Sequence, residues 1–144
     1  MKRFAKCLCL LLVLSMCLAI PVAAQEAAPY ASSYFMSRDA YLWRTSSTSC
    51  QAWFEVTAMR GMAELGALYI DIQESSDGVN WYTVETYRCT SNSNMLAYNT
   101  GNHCSYVTFS KMLPGCQYRM YVELYAKDAN GNSGSSGAYG YFVN

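Results

Sequence analysis

Charged residues are scarce in this sequence, and histidine is almost absent. Asp, Glu, Lys and Arg together make up 14% of the 144 residues, and His103 is the single histidine. A serine or cysteine nucleophile needs a base beside it and an acid that orients the base. His103 stands in a polar segment beside Cys104, where an exposed loop residue is expected. The shortage of acid–base side chains predicts that the chain is not an enzyme.

The N-terminus has the pattern of a secretory signal peptide. A short basic start is followed by the apolar run Cys7–Ile20 and by small residues that end at Ala24. We expect cleavage after Ala24, a flexible lead over residues 25–37 and one domain over residues 38–144. The sequence therefore predicts a secreted, extracellular protein that contacts a membrane only if the signal segment stays uncleaved.

Basic clusters are missing from the rest of the chain. Residues 1–24 contain three basic residues and no acid, so 7 basic and 10 acidic residues remain after them, a net charge of about −3. A nucleic-acid-binding face needs several Lys or Arg side chains together to displace counterions. We expect no nucleic-acid partner.

The expected domain contains an even number of cysteines. They are Cys50, Cys89, Cys104 and Cys116, and no two of them have the Cys-x-x-Cys spacing of a zinc site. In an exported protein this number predicts two disulfides, with three pairings possible.

Long helical patterns are also missing, and short strand-like runs are separated by turn residues. Residues 50–59 alternate, with Phe54 among the apolar residues on one side, and residues 60–67 are the least strand-like stretch. The seven predicted strands cover residues 38–44, 50–59, 68–74, 80–88, 104–110, 118–127 and 138–143. The pattern predicts an all-β fold, a seven-stranded antiparallel β-sandwich with Phe54 in its core.

A segment before the sixth predicted strand resembles fibronectin type III domains. Its sequence is Met112-Leu113-Pro114-Gly115-Cys116-Gln117-Tyr118, and residues 70–81 are similar to the central hairpin of that family. The resemblance implies an immunoglobulin-like sandwich in which the Tyr118 hydroxyl bonds to nearby backbone. The "SSDG" hairpin and Leu65-Gly66-Ala67 are also similar to small secreted Firmicutes proteins of a family with no assigned activity.

The fibronectin arrangement also implies a disulfide pairing. Cys50 opens the second strand at the end where Cys116 lies in the corner loop, and Cys89 and Cys104 lie at the opposite end. The expected disulfides are Cys50–Cys116 and Cys89–Cys104.

Aromatic residues are abundant, with 13 tyrosines and 3 tryptophans. In the fibronectin arrangement several of them lie on the outer face of one sheet, with Phe142 as the alternative at the last strand; they are Tyr69, Trp81, Tyr121, Tyr125, Tyr139 and Tyr141. Tyrosine offers a rigid apolar area with a polar tip. This face predicts a binding or adhesion module for a protein, peptide or glycan on a cell surface or in the medium. The alternative is that the aromatic pairs only stabilise the sheet.

A small secreted hydrolase or toxin-like effector is the second hypothesis. It would use His103, or the carboxylates of Asp71 and Glu123, which point outward on neighbouring strands. Residues 128–132 match the start of a calcium loop by ligand type, but Ser133 and Tyr139 occupy the positions that need Gly and Glu. A hairpin turn is predicted there instead, and no metal or cofactor is expected.

Overall fold

Alternating apolar and polar residues form six β-strands in the computed structural model, which describes residues 33–143. The strands are β1 (Phe35–Arg44), β2 (Cys50–Ser75), β3 (Tyr82–Arg88), β4 (Leu96–Phe109), β5 (Gln117–Lys127) and β6 (Ser133–Phe142), with one 3-10 turn at Ser93–Met95. The all-β prediction is confirmed. The predicted signal peptide over residues 1–24 and most of the lead lie outside the described residues.

Strand β2 accounts for the difference between seven predicted strands and six observed ones. It runs unbroken for 26 residues, through the stretch 60–67 that the sequence indicates to be the least strand-like. Met62 and Leu65 are buried three positions apart, a spacing that is typical of a helix in sequence. Irregularities between Thr57 and Met62, and again between Ala67 and Tyr69, shift the register and keep the chain extended.

The pairing of β2 changes along its length. Its first half lies between β1 and β4, and its second half lies between β5 and β3. Strand β5 pairs with β6, and β6 closes a circuit of four strands by pairing with β1 in parallel, Tyr41 with Tyr141 and Leu42 with Phe142. The seven-stranded, purely antiparallel sandwich is therefore corrected to a closed four-strand circuit with β3 and β4 beside β2. A contact between the first and last strands carries no local turn signal that a sequence could show.

The core lies on the inward sides of β2 and β5, as their alternation predicts. The buried residues of the two strands include Cys50, Ala52, Phe54, Val56, Ala58, Tyr118, Met120, Val122, Leu124 and Ala126. Burial of each large side chain stabilises the fold by roughly 1.5–3 kcal/mol. This inward packing leaves the alternate positions of β5 on the outer face, where the predicted tyrosines are.

Strand β4 begins earlier than the sequence indicates. Residues 91–102 are predicted to be a polar loop, but β4 starts at Leu96, which pairs with Gly66 in the middle of β2. Gly66 has a φ of +154°, and a methyl group there would overlap the carbonyl oxygen of Met95. Because only glycine tolerates both conditions, Gly66 determines how closely the Ser93–Met95 turn approaches β2.

The connection before β5 is held by the hydroxyl of Tyr118. The Leu113 N–H donates a hydrogen bond of 2.7 Å to this hydroxyl, and the hydroxyl donates to Glu74 on β2. The ring centroid of Tyr118 lies 5.8 Å from that of Phe109. Burial and the Glu74 carboxylate raise the pKa of Tyr118 to about 12, so the hydroxyl stays protonated.

The disulfide prediction is wrong, because all four cysteines in the described residues are free thiols. Cys89 packs against the core, whereas Cys104 is exposed on the outer side of β4 opposite Glu55. Their side chains therefore lie on different sides of the fold. Cys50 is fully buried in the core, while Cys116 is half-buried, packs against the core and lines an open pocket.

Candidate functional site

Three of the predicted tyrosines form a continuous row across neighbouring strands. Tyr121 on β5 is paired in register with Tyr139 on β6, and their ring centroids are 5.1 Å apart. The centroid of Tyr69 on β2 lies 6.0 Å from that of Tyr121. The structure thus brings together residues that are 70 positions apart in the chain.

Arginine side chains extend this row at both ends. The guanidinium of Arg119 lies 4.4 Å from the ring centroid of Trp81 and 4.7 Å from that of Tyr139. At the other end the guanidinium of Arg88 lies 5.8 Å from the Tyr69 centroid. Cation–π attraction stabilises such contacts by roughly 0.5–1 kcal/mol at exposed sites. The aromatic–arginine row comprises Arg88, Tyr69, Tyr121, Tyr139, Arg119 and Trp81.

The small residues of β6 let Tyr121 lie flat on the sheet. A methyl group at Gly137 would overlap the Tyr121 ring. The Tyr121 hydroxyl donates a hydrogen bond of 2.6 Å to Glu123, and the Ser135 hydroxyl donates one of 2.5 Å to the other oxygen of that carboxylate. Burial, and then the Glu123 carboxylate, raise the pKa of Tyr121. Tyr121 is therefore a neutral, fixed member of the row.

The other two predicted tyrosines have different surroundings. Tyr125 is half-buried on the outer side of β5, beside Lys127, and makes no ring contact with the row in the described part of the chain. Lys127 pairs with Glu64 at 2.9 Å. Tyr141 is 54% exposed and lines a pocket at the end of β6.

This pocket lies where β1 and β6 end and β5 begins, and its volume is about 300 Å³. The guanidinium of Arg44 lies 4.5 Å from the ring centroid of Phe142 there. The lining residues are Arg44, Trp81, Cys116, Gln117, Tyr118, Tyr141 and Phe142. Because Trp81 also contacts Arg119, the pocket is continuous with the aromatic–arginine row.

The arginines of the site have no ion-pair partner among the described residues. Three ion pairs occur within residues 33–143, Arg60 with Asp128, Lys111 with Glu85 and Lys127 with Glu64. The three arginines stacked on aromatic rings form no ion pair with a described carboxylate; they are Arg44, Arg88 and Arg119. A stacked guanidinium keeps donors free at its edge. The site can therefore donate to an acceptor from outside.

The residues of the hydrolase hypothesis do not converge. His103 lies on β4, where its Nε2 is 2.8 Å from the Asn94 carbonyl oxygen and its ring packs edge-on against Phe54. Asp71 accepts a hydrogen bond of 2.6 Å from Thr86, and Glu123 accepts from Tyr121 and Ser135. None of the three lines the pocket.

The calcium-like segment forms the turn between β5 and β6, as predicted. Asp128 accepts hydrogen bonds of 2.9 Å from the backbone N–H groups of Asn130 and Asn132, and it pairs with Arg60 at 3.1 Å. Hydrogen bonding from Asn132 is the main cause that lowers the pKa of Asp128. No group of three or more His, Cys, Asp or Glu residues that could hold a metal ion occurs between residues 33 and 143.

A second set of aromatic residues was not predicted from the sequence. Tyr41, Trp53 and Tyr106 pair in register across β1, β2 and β4, with ring centroids 6.2 Å and 4.4 Å apart. The alternation of β2 predicts that Trp53 points outward. It does not predict that Tyr41 and Tyr106 lie beside Trp53, because cross-strand register depends on pairing between residues far apart in the chain. The exposed Trp43 lies on the same side of β1 as Tyr41.

Comparisons with known proteins show a structural likeness but no sequence match. No family model matches the chain, and no curated protein matches its sequence. The crystal structure of Spo0M, a sporulation control protein from Bacillus subtilis, has a TM-score of 0.42 and 10% identity, covering 75% of this chain and 49% of that one. The chain thus spans about half the length of that protein. Within the described residues no helix is long and apolar enough to cross a membrane.

Proposed function

We propose that this chain is a secreted, non-enzymatic binding module that recognises its ligand through the aromatic–arginine row. The observation that carries the proposal is the row itself: three tyrosine rings in contact on one sheet face, bounded by arginines that have no described carboxylate partner. Tyr, Trp and Arg are the residues most enriched at binding hot spots. Such a face supports recognition of a protein, peptide or glycan.

Exposed aromatic area supports a docking role for this face. Tyr139 in the row is 51% exposed and Tyr141 in the adjoining pocket is 54% exposed, so both retain apolar area that a ligand can cover. Cross-strand aromatic pairs alone contribute roughly 0.2–1 kcal/mol each. A structural role would need no unpaired guanidinium at each end of the row.

The relationship of the fold to known domains and the extracellular location are part of the same proposal. We relate the turn before β5 to the corner of fibronectin type III and immunoglobulin-like domains, supported by the Tyr118–Leu113 hydrogen bond beside the Pro114-Gly115 turn. Secretion rests on the signal-like sequence of residues 1–24. The non-enzymatic role is supported by a pocket lining without His, Asp or Glu.

The test compares two aromatic substitutions of equal exposure, one inside the aromatic–arginine row and one outside it. Tyr139→Ala removes a ring from the row, and Trp43→Ala removes an equally exposed ring, 51% for both, from β1. Wild type and both variants are applied to an array of neutral glycans, acidic glycans and peptides. We expect saturable binding that Tyr139→Ala weakens about tenfold or more and Trp43→Ala leaves unchanged. Absence of saturable binding, or equal effects of the two variants, contradicts the proposal.

A further inference from the structure

We infer that the ligand of this face is an acidic glycan, whose carboxylate or sulfate group is bound by Arg119 and Arg44 and whose ring packs on Trp81. The inference rests on the proposed function and specifies its ligand class. The site is the junction of the pocket and the row, where each of the two guanidinium groups lies against an aromatic ring of the pocket lining.

The guanidinium of Arg119 is held in a fixed position. It lies between the rings of Trp81 and Tyr139, and its Nε donates a hydrogen bond of 2.7 Å to the side chain of Gln73. The two terminal nitrogens are left for a ligand. A planar guanidinium held in this way offers two parallel donors to a carboxylate or sulfate, with little side-chain entropy left to lose.

The charges around the pocket favour an anion. Arg44 is the single charged residue in its lining. The Glu74 carboxylate behind the lining accepts the hydroxyl hydrogen of Tyr118 and also interacts with the Cys116 thiol, so its charge is engaged by two lining residues. Asp71 and Glu123 lie further along the same outer face, engaged by Thr86 and by Tyr121. The Arg119 end is therefore a positive site in a domain whose sequence carries more acids than bases.

A sugar fits this place better than an extended peptide. A peptide that adds to a sheet needs an unpaired strand edge. At the pocket Phe142 of β6 pairs with Leu42 of β1, and Gln117 of β5 pairs with Ser75 of β2. The pairing of β5 with β6 begins only at Met120 and Gly140, so the unpaired edge of β5 there is three residues long, which is shorter than an ordinary strand. A sugar needs no strand edge, because its C–H face packs on an aromatic ring and its hydroxyls bond to side chains. The volume of about 300 Å³ is at the small end for ligand pockets, and it suits one ring.

The row then offers a path for the rest of the glycan. From Trp81 it continues through Tyr139 and Tyr121 to Tyr69, and it ends at a second stacked guanidinium, that of Arg88. A chain of acidic sugars would meet aromatic surface between two cationic ends. This arrangement matches a polymer with repeated negative charges better than an isolated anion.

Titration of three oligosaccharides tests the inference. The probes are oligogalacturonate, which carries carboxylates, a heparin oligosaccharide, which also carries sulfates, and neutral dextran. We expect the acidic probes to bind, more weakly at high salt, and dextran not to bind. Tighter binding of oligogalacturonate identifies the anionic group bound by the arginines as a carboxylate, and tighter binding of heparin identifies it as a sulfate.

Charge variants locate the site. Arg119→Gln and Arg44→Gln should each weaken binding of the acidic probe by about tenfold or more, because each removes a charge-assisted hydrogen bond. Arg119→Lys, which keeps the charge but loses the planar stack, should weaken it by a smaller factor. Lys127→Gln is the matched control, since it removes one positive charge eight residues along the same strand and should change affinity less than twofold.

Two results overturn the inference even where the acidic probes bind. One is binding of dextran as tight as that of the acidic probes, and the other is an equal effect of Arg119→Gln and Lys127→Gln. If neither acidic probe binds while an array ligand remains sensitive to Tyr139→Ala, the glycan inference fails and the proposed function stands. Thermal unfolding of each variant, compared with wild type, separates loss of binding from loss of folding.

Discussion

At the scale of single residues, burial changes the chemistry of groups that water would leave unperturbed. Cys50 is fully buried at the start of β2, and burial raises the pKa of its thiol from 9.0 to about 11. The folded protein therefore holds this proton more tightly than the unfolded chain does. Its contribution to stability is complete below pH 9 and is lost as the pH rises from 9 to 11.

The pH dependence of unfolding in a Cys50→Ala variant checks this prediction. We expect the free energy of unfolding of the wild type to fall between pH 9 and pH 11, and that of the variant to fall less steeply, because the variant lacks the titrating thiol. The raised pKa of Tyr118 is common to both proteins, so it cancels in the difference. Parallel curves from denaturant unfolding at each pH would contradict the assignment.

At the scale of elements, β2 is the strand on which the fold is assembled. It contacts β1, β3, β4 and β5, and its two halves serve different neighbours. Between those halves Gly66 pairs with both Leu96 and Tyr125. The strand can therefore change neighbours only if the backbone at Gly66 keeps its unusual conformation and its close contact with Met95.

Gly66→Ala tests this role of β2, with Gly61→Ala as the control. The first variant should lose about 3 kcal/mol of unfolding free energy or fail to fold, because its methyl group meets the Met95 carbonyl and its φ is unfavourable. The second places a methyl group with nothing within 4 Å and should be neutral or stabilising by up to about 1 kcal/mol. Chemical denaturation measures both. Similar stabilities of the two variants would show that Gly66 has no special role.

At the scale of the whole molecule, strand pairing and the core hold residues 33–143 together without disulfides between described cysteines. The closed circuit joins β1 to β6, and Val143 adds a backbone hydrogen bond of 3.1 Å to Leu42. The four cysteines contribute as apolar or surface side chains and not as bridges.

Stability should therefore be independent of reducing agent. A disulfide contributes roughly 2–4 kcal/mol, so its reduction would lower the Tm of a domain of this size by roughly 10 °C. We expect no change in Tm when dithiothreitol is added. The protein is unfolded without reduction and alkylated. Its intact mass should then show that every cysteine of the domain is modified. A Tm that drops on reduction, or unmodified cysteines, would show that a bridge forms.

Much of the fold was readable from local pattern. The alternation of residues 118–127 predicted which side of β5 is buried, and the outward phase placed Tyr121 on the surface, because side-chain direction in a strand depends only on position along it. The same rule gave the buried side of residues 50–58 and the outward phase of Tyr69.

Cross-strand neighbours were decided by the tertiary structure, because pairing and register depend on residues far apart in sequence. The sequence does not show the parallel pairing of β1 with β6, the contact of Arg119 with Trp81, or the separation of Cys89 from Cys104, because each involves residues that are far apart in the chain. Composition and periodicity determined an all-β chain rich in surface tyrosine. Only the packing of the strands decided that these tyrosines form one row, that arginines bound it, and that the thiols lie apart.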